Sequence, residues 1–263
     1  MLSSDVISEI ARDFFYAERD RSQVRAPTIR YPDINMADAY AIQKVWVDMK
    51  VASGNLLRGY KIGLTSRAMQ MAVGIDEPDH GVLLEDMFFE SGSTIPIDRF
   101  IAPRLEVELA FVIGKRASYV EEDDAMDHVA GYLLHNDYSE RDFQLHHGGQ
   151  WVKGKSADTF APLGPWLVTR DEIADPHNLR LWLKLNGETV QVSSTSDMIF
   201  TIPQLVSYIS RYMTLLPGDI ISTGTPEGVG MGRNPQVYLK PGDVVELGIE
   251  GLGSSSQEVK APL

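Results

Sequence analysis

Two glutamates, Glu106 and Glu108, stand two positions apart in the apolar run from Arg104 to Ile113. The run is rich in large apolar residues and ends at Gly114, which predicts a β-strand. Because side chains alternate between the faces of a strand, both carboxylates point to the same side. Like charges on one side of an apolar strand repel each other and resist burial unless a cation joins them. The pattern therefore favours a site for a hard divalent cation, with a solvated edge strand as the alternative.

A third oxygen ligand is available in Asp137, which follows the apolar segment from Val129 to Leu134 and is expected at the end of a strand. Two glutamates and one aspartate leave coordination positions open for water and a chelating substrate, as is usual for Mg²⁺ and Mn²⁺. A lone aspartate in such a position is more often a turn or cap residue. Asp137 is therefore predicted as a ligand only together with Glu106 and Glu108.

Two lysines, Lys61 and Lys155, stand among small and apolar residues and are candidates to neutralise negative charge on a substrate near the metal. Each is equally compatible with a place on the surface. The glycine-rich segment 222–230 follows a short apolar strand, and its backbone N–H groups and threonine hydroxyls can hold a carboxylate. It has neither the lysine of a P-loop nor the spacing of a dinucleotide-binding motif, so nucleotide binding is rejected. A plain turn is the alternative.

The composition limits the partners of the chain. Of its 263 residues 43% are hydrophobic, which allows a sizeable core, and its net charge is −13. Nucleic acid is not expected as a partner, because phosphate binding needs a basic surface. Cysteine is absent, which excludes disulfides, zinc–thiolate sites and thiol nucleophiles. No apolar run approaches the ~20 residues of a membrane span, so we expect no membrane partner and a cytoplasmic location.

The first part of the chain predicts helices. Apolar residues within 6–15 recur at helical spacing. A second helix is predicted from Asn35, which Asp38 complements in a capping box, to just before Gly54. We therefore assign residues 1–55 to a helical N-terminal element.

After this element the chain predicts mostly short strands separated by turns. Asn186-Gly187 is a strong signal for a two-residue hairpin between strands at 181–185 and 188–192. One further helix is predicted at 202–213. The other turn signals lie at 90–93, 217–219 and 241–243. Strands with few helices indicate an α+β fold in which residues 56–263 form one catalytic domain.

Longer motifs identify relatives of the chain. The first half contains the runs Lys61-Ile62-Gly63-Leu64-Thr65-Ser66, Glu77-Pro78-Asp79-His80-Gly81 and Pro103-Arg104-Leu105-Glu106-Val107-Glu108-Leu109. The second half contains the runs Asn136-Asp137-Tyr138-Ser139-Glu140-Arg141-Asp142-Phe143-Gln144, Gly154-Lys155-Ser156-Ala157-Asp158-Thr159-Phe160 and Thr223-Gly224-Thr225-Pro226-Glu227-Gly228. Together they resemble the fumarylacetoacetate hydrolase superfamily over nearly the whole chain. The first half resembles its 2-oxo-hept-3-ene-dioate and 2-hydroxypentadienoate hydratases, and the second half resembles its hydrolase, isomerase and decarboxylase branch.

The resemblance implies a mixed β-roll with a Mg²⁺ or Mn²⁺ ion that the 2-oxo group and carboxylate of a small-molecule substrate chelate. The implied metal ligands are Glu106, Glu108 and Asp137. The implied catalytic residues are Lys61, Asp79 and Lys155, and the implied substrate contacts are Gln144, Gly224 and Thr225. A homodimer or larger homo-oligomer is also implied.

The chemistry that the resemblance implies is electrostatic, because a bound cation polarises the 2-oxo group and stabilises an enolate. The hydratase-like sequence covers the lid region, so we predict hydration of a 2-oxo-alkenoate or 2-oxo-alkene-dioate in aromatic catabolism. The alternatives are C–C hydrolysis of an acylpyruvate, and isomerisation or decarboxylation of a 2-oxo acid. A catalytically silent metal-binding scaffold is the remaining alternative.

Overall fold

The computed structural model describes residues 1–20, 22, 24–63, 65, 70–71, 78–90, 94–96, 103–146, 151–226 and 238–260. Within these ranges the fold is α+β, as the sequence predicts. The predicted turn at 90–93 lies outside them after its first residue, and the glycine-rich segment lies outside them after Pro226. The mixed β-roll and the division into two parts at residue 55 stay predictions.

The three predicted helices are present, and the described residues form two further short helices that the sequence did not predict. They are α1 (Ser4–Asp20), α2 (Pro27–Arg30), α3 (Met36–Ala52), α4 (Arg141–His146) and α5 (Ile202–Tyr212). Short 3₁₀ turns lie at Glu85–Met87, Glu122–His128, Trp151–Gly154, Arg170–Glu172 and Thr195–Asp197. The predicted capping box at Asn35 and Asp38 is present at the start of α3. Among the described residues, no helix combines the length and the apolar character that crossing a bilayer requires.

All of the described strands lie after α3. They are β1 (Leu57–Gly63), β2 (Asp79–Leu84), β3 (Phe88–Glu90), β4 (Thr94–Pro96), β5 (Pro103–Arg104), β6 (Val107–Ile113), β7 (Val129–Asn136), β8 (Ser139–Glu140), β9 (Ala161–Leu163), β10 (Val168–Thr169), β11 (Arg180–Leu185), β12 (Glu188–Ser194), β13 (Ile220–Ser222), β14 (Val244–Ile249) and β15 (Gly253–Lys260). The predicted hairpin joins β11 to β12, and both Asn186 and Gly187 have the positive φ that such a turn requires.

The described strands form two larger sheets and one short pair. An eight-stranded mixed sheet has the order β2-β1-β13-β6-β7-β9-β3, with β10 added alongside β7. A five-stranded sheet has the order β12-β11-β14-β15-β4, and β5 pairs with β8. In the larger sheet β6 lies between β13 and β7, so both of its edges are covered. This central place explains why side chains on both faces of β6 are buried.

Two apolar clusters hold these elements together. The main core includes Phe111 of β6, Leu134 of β7 and Leu183 of β11, each with 1% exposure or less. A smaller cluster joins α1 to α3 around Ile10 and Ile42. Trp46 of α3 packs against both clusters and so connects the N-terminal helices to the sheets.

Asp38 is expected to stabilise the N-terminal helices through its buried carboxylate. Its oxygens accept hydrogen bonds from Leu2 N at 2.7 Å and from Asn35 N at 3.2 Å. Asp38→Ala should lower the free energy of unfolding by about 1–2 kcal/mol, since both donors lose their acceptor. Denaturation in urea measures the change. Asp48→Ala, on the exposed side of the same helix, should change it by less than about 0.5 kcal/mol; equal effects would contradict the prediction.

Candidate metal centre

The pairing of β6 with β7 brings three carboxylates together. Glu106 lies immediately before β6, Glu108 is the second residue of β6, and Asp137 follows β7 directly. The strands are antiparallel, with Val107 opposite Asn136, and Asp137 N donates to the Glu106 carbonyl at 2.8 Å. One oxygen from each carboxylate lies within 4.8 Å of the others, and all three side chains are buried. The structure thus groups the three residues predicted as metal ligands, although Glu106 precedes the strand instead of lying within it.

Three cationic side chains lie against these carboxylates. Lys155 Nζ lies 2.8 Å from Glu106 Oε2 and also contacts Asp137 Oδ2. Lys61 reaches the same oxygen of Asp137, and Arg141 pairs with the other oxygen of Glu106, Oε1. All three cations are buried. Three formal negative and three formal positive charges therefore share one buried site.

Close backbone packing holds Lys155 in this position. The preceding residue, Gly154, ends the 3₁₀ turn Trp151–Gly154. A Cβ at Gly154 would lie 2.6 Å from the Glu140 carbonyl oxygen and 2.8 Å from Gln144 Cβ. Only glycine lets this turn approach α4 so closely. The glycine before the lysine in the sequence motif is therefore explained by packing.

The charges shift one another's protonation. Burial opposes ionisation of Asp137, but Lys155 and then Lys61 outweigh it and hold the pKa of this carboxyl well below its usual range. Burial, and next the charge of Asp137, raises the pKa of Glu108 to about 7. Burial also lowers the pKa of the Lys61 ammonium, against the attraction of Asp137. A divalent cation beside the carboxylates would favour the ionised form of Glu108.

The residues present fit a divalent cation. Asp137 Oδ1 is buried and receives no hydrogen bond from the described part of the chain, because both lysines contact Oδ2. Three carboxylates form an all-oxygen donor set, which Mg²⁺ and Mn²⁺ prefer, and these ions usually keep open positions for water or substrate. Glu106, Glu108 and Asp137 would hold the ion, which when bound polarises a substrate carbonyl.

The glycine-rich segment supports the strand that carries Glu108. Ser222 Oγ and Gly224 N both donate to Glu108 Oε2, the latter at 3.0 Å. Thr225 Oγ1 donates to the Val107 carbonyl at 2.9 Å. Gly224 has a φ of 93°, which favours glycine. The N–H of Gly224 is therefore engaged by the carboxylate of Glu108, while the substrate role predicted for Gly224 and Thr225 stays a prediction.

Of the other predicted site residues Gln144, Lys61 and Asp79, only Lys61 is described in direct contact with one of the three carboxylates. Gln144 lies buried in α4, where its Oε1 accepts from Arg141, and its Nε2 has no acceptor within the described ranges. Lys61 is on β1 and reaches the carboxylates directly. Asp79 begins β2 opposite Gly63 of β1. The Asp79 side chain lies outside the described part, so its acid–base role stays a prediction.

Several supporting residues were not assigned a role from the sequence. Arg141 and Asn136 belong to the long motif around Asp137, which could have pointed to them. Asn136 Oδ1 accepts from Glu106 N at 3.2 Å, and its Nδ2 donates to Gln257 Oε1 at 3.1 Å. Gln257 and Gln191 come from the other sheet and carry no signal in the sequence that relates them to a metal site.

Comparison with known proteins identifies the family. The profile of the fumarylacetoacetate (FAA) hydrolase C-terminal region matches residues 60–260. The chain belongs to the fumarylacetoacetate hydrolase family. This confirms the superfamily resemblance, whereas the hydratase likeness of the first half stays a prediction.

Individual relatives of this family member include enzymes with named substrates. A 2,4-didehydro-3-deoxy-L-rhamnonate hydrolase from Sphingomonas sp. strain SKA58 is 45% identical over 228 residues, 80% of each chain. A protein of Burkholderia cenocepacia strain HI2424, named as a hydrolase without a substrate, is 56% identical over 156 residues, 59% of this chain and 55% of that protein. The match thus spans just over half of the Burkholderia protein. The structure of fumarylpyruvate hydrolase from Pseudomonas aeruginosa in complex with Mn²⁺ and pyruvate has a TM-score of 0.69 and 30% identity, covering 78% of this chain and 90% of that one.

Glu108→Gln should remove metal binding while it preserves the shape of the side chain. A neutral amide is a much poorer ligand for a hard cation than a carboxylate, so Mn²⁺ affinity should fall by roughly 100-fold or more. Titration calorimetry with Mn²⁺ measures this. Glu258→Gln, at an exposed position of β15, is the matched control and should bind as the wild type does. Unchanged Mn²⁺ affinity in Glu108→Gln would remove Glu108 from the ligand set.

Proposed function

We propose that this member of the fumarylacetoacetate hydrolase family is a hydrolase that uses Mg²⁺ or Mn²⁺ to cleave the C–C bond of a 2,4-dioxo acid. The products are a carboxylic acid and a 2-oxo acid such as pyruvate. The observation that carries the proposal is the buried cluster of carboxylates and cations around Asp137.

The charge of this cluster suits an acid substrate that gains negative charge during the reaction. Three carboxylates and three cations are formally neutral together, so a bound divalent ion leaves two positive charges. A 2-oxo acid brings one negative charge, and its enolate brings two. The site therefore compensates the enolate more completely than the substrate, which is the condition for faster reaction.

The reaction balances with water as its only co-substrate. The oxygen of water adds to C4, the C3–C4 bond breaks, and its electron pair passes to the enolate of the 2-oxo acid. One proton from water then completes the methyl or methylene group at C3. No oxidant or reductant is needed, because hydrolysis changes no overall oxidation state.

Three side chains have distinct proposed roles toward the substrate. Lys155, held between Glu106 and Asp137, places an ammonium where negative charge develops on the 2-oxo oxygen. Arg141 binds both Glu106 and Gln144 and so fixes the relative position of a metal ligand and a substrate contact. The buried Nε2 of Gln144 has no acceptor within the described ranges and is available to a substrate carboxylate.

The relatives support hydrolysis over the hydration that the first half of the sequence predicts. The Sphingomonas enzyme is named as a hydrolase of an acid that is didehydro at carbons 2 and 4, which denotes two oxo groups. Fumarylpyruvate likewise joins an acyl group to pyruvate, and its hydrolase binds Mn²⁺ and pyruvate in the solved structure. Hydration of a 2-oxo-alkenoate stays a prediction from the hydratase-like motifs.

Two substrates distinguish these activities. The Mn²⁺-loaded protein should release pyruvate from 2,4-dioxopentanoate, detected with lactate dehydrogenase, and chelation should stop the release. With 2-hydroxypenta-2,4-dienoate the ultraviolet absorbance should stay constant. Turnover of the dienoate alone would replace the proposal with hydration. Turnover of neither would end both interpretations and leave isomerisation or decarboxylation of a 2-oxo acid, or a silent metal-binding scaffold.

Lys155→Met should lower kcat/KM for 2,4-dioxopentanoate by about 100- to 1,000-fold, since one donor to the developing negative charge is lost. Mn²⁺ affinity should be retained or should rise, because a positive charge next to Glu106 and Asp137 is removed. Calorimetry and steady-state kinetics measure the two effects. Lys44→Met, on the exposed face of α3, is the control. A normal kcat/KM in Lys155→Met would assign Lys155 a structural role.

A further inference from the structure

Gln191 is a buried residue of β12 that directs its amide toward the metal centre from the second sheet. Only 2% of its surface is exposed. Leu183 pairs with Gln191 whereas the next residue, Lys184, pairs with Thr189, so β12 carries one extra residue at Val190. A bulge of this kind changes the direction of neighbouring side chains and often lies beside a functional site.

The amide of Gln191 closes a ring of hydrogen bonds. Val107 N donates to Gln191 Oε1 at 3.2 Å. Gln191 Nε2 donates to Thr225 Oγ1 at 3.1 Å and to the Pro226 carbonyl at 3.3 Å. Thr225 Oγ1 donates in turn to the Val107 carbonyl at 2.9 Å. The ring therefore engages both backbone polar groups of Val107, the residue between the two glutamates of the metal centre.

The ring replaces strand pairing at the place where β13 ends. The last residue of β13, Ser222, is opposite Ala110, and Thr223 N still donates to the Leu109 carbonyl. Val107 lies two residues further along β6, where the backbone of β13 no longer follows. The Gln191 side chain, from the other sheet, accepts the hydrogen bond of Val107 N there and also binds Thr225, which lies three residues beyond the end of β13.

We propose that Gln191 is a positioning residue of the metal centre. It fixes the position of Thr225 relative to Glu106 and Glu108. One 2-oxo acid can then contact both the cation and Thr225. The expected effect on binding of a 2-oxo acid rests on the proposed function, whereas the ring of hydrogen bonds around Gln191 does not. Gln191 acts through Thr225 and Val107 and does not touch the substrate.

Hydrogen exchange of backbone amides in the metal-free protein tests the ring of hydrogen bonds. Gln191→Met keeps the length of the side chain and removes its amide. The Val107 N–H should then exchange about tenfold faster, because its acceptor is gone. Gln204→Met is the matched control, since the side-chain oxygen Oε1 of Gln204 likewise accepts a hydrogen bond from a backbone N–H, that of Thr201, at 2.9 Å. The control should leave exchange at Val107 unchanged.

Oxalate binding to the Mn²⁺-loaded protein tests the consequence, since oxalate is a planar dianion of the size of the pyruvate enolate. Gln191→Met should weaken oxalate binding about tenfold, with Mn²⁺ affinity changed less than about threefold. Thr225→Val should weaken oxalate binding similarly. If Gln191 acts through Thr225, the double variant should bind oxalate no more weakly than Thr225→Val alone.

The proposal is overturned if Gln191→Met lowers only the thermal stability and leaves exchange at Val107 or oxalate affinity as in the wild type. Additive effects of the two substitutions would also overturn it, because they show independent roles. Neither measurement uses turnover. Failure of the protein to cleave 2,4-dioxopentanoate would therefore end the proposed function without deciding the role of Gln191.

Discussion

The structure of the site depends on mutual compensation of buried charges. Asp137 is 1% exposed, and the two lysines that contact it hold the pKa of its carboxyl well below its usual range. In a low-dielectric interior, each of these charges alone would be costly, so their geometry must be accurate for the protein to fold with them inside. The same requirement holds the lysines beside the carboxylates, where a substrate oxyanion would need them. Folding and the proposed chemistry thus both require the lysines to lie beside the carboxylates.

Two layers of support keep the charges in place. Arg141 and Lys155 engage opposite oxygens of Glu106, while Ser222 and Gly224 engage Glu108. Behind them, neutral amides bind the backbone: the Asn136 side chain accepts from Glu106 N. Neutral amides are suited to this task, because they satisfy backbone groups without changing the net charge of the site.

Family membership and the geometry answer different questions. The match over residues 60–260 places the chain in the fumarylacetoacetate hydrolase family, and its relatives include a 2,4-didehydro-3-deoxy-L-rhamnonate hydrolase and a fumarylpyruvate hydrolase. The geometry shows how charge is arranged around a candidate metal site. Polarisation of a 2-oxo group serves hydration and hydrolysis alike, so the arrangement of charge is compatible with both reactions. The choice of hydrolysis is a proposal that rests on the names of the relatives.

Local patterns in the sequence were sufficient for features that depend on one element and its neighbours. The spacing of Glu106 and Glu108 determined that both carboxylates share a side, and Asn186-Gly187 determined a hairpin. The capping box at Asn35 is local in the same sense. Each of these patterns works because backbone geometry fixes the direction of side chains along a single helix, strand or turn.

Only the tertiary structure decided which distant residues meet. Lys61 reaches Asp137 because β1, β13, β6 and β7 are adjacent in one sheet, an order that does not follow the chain. Gln191 binds Val107 across 84 positions of sequence and from the other sheet. Sequence spacing gives the direction of a side chain on its own element, but the distance between elements depends on non-local strand pairing and on packing of the core.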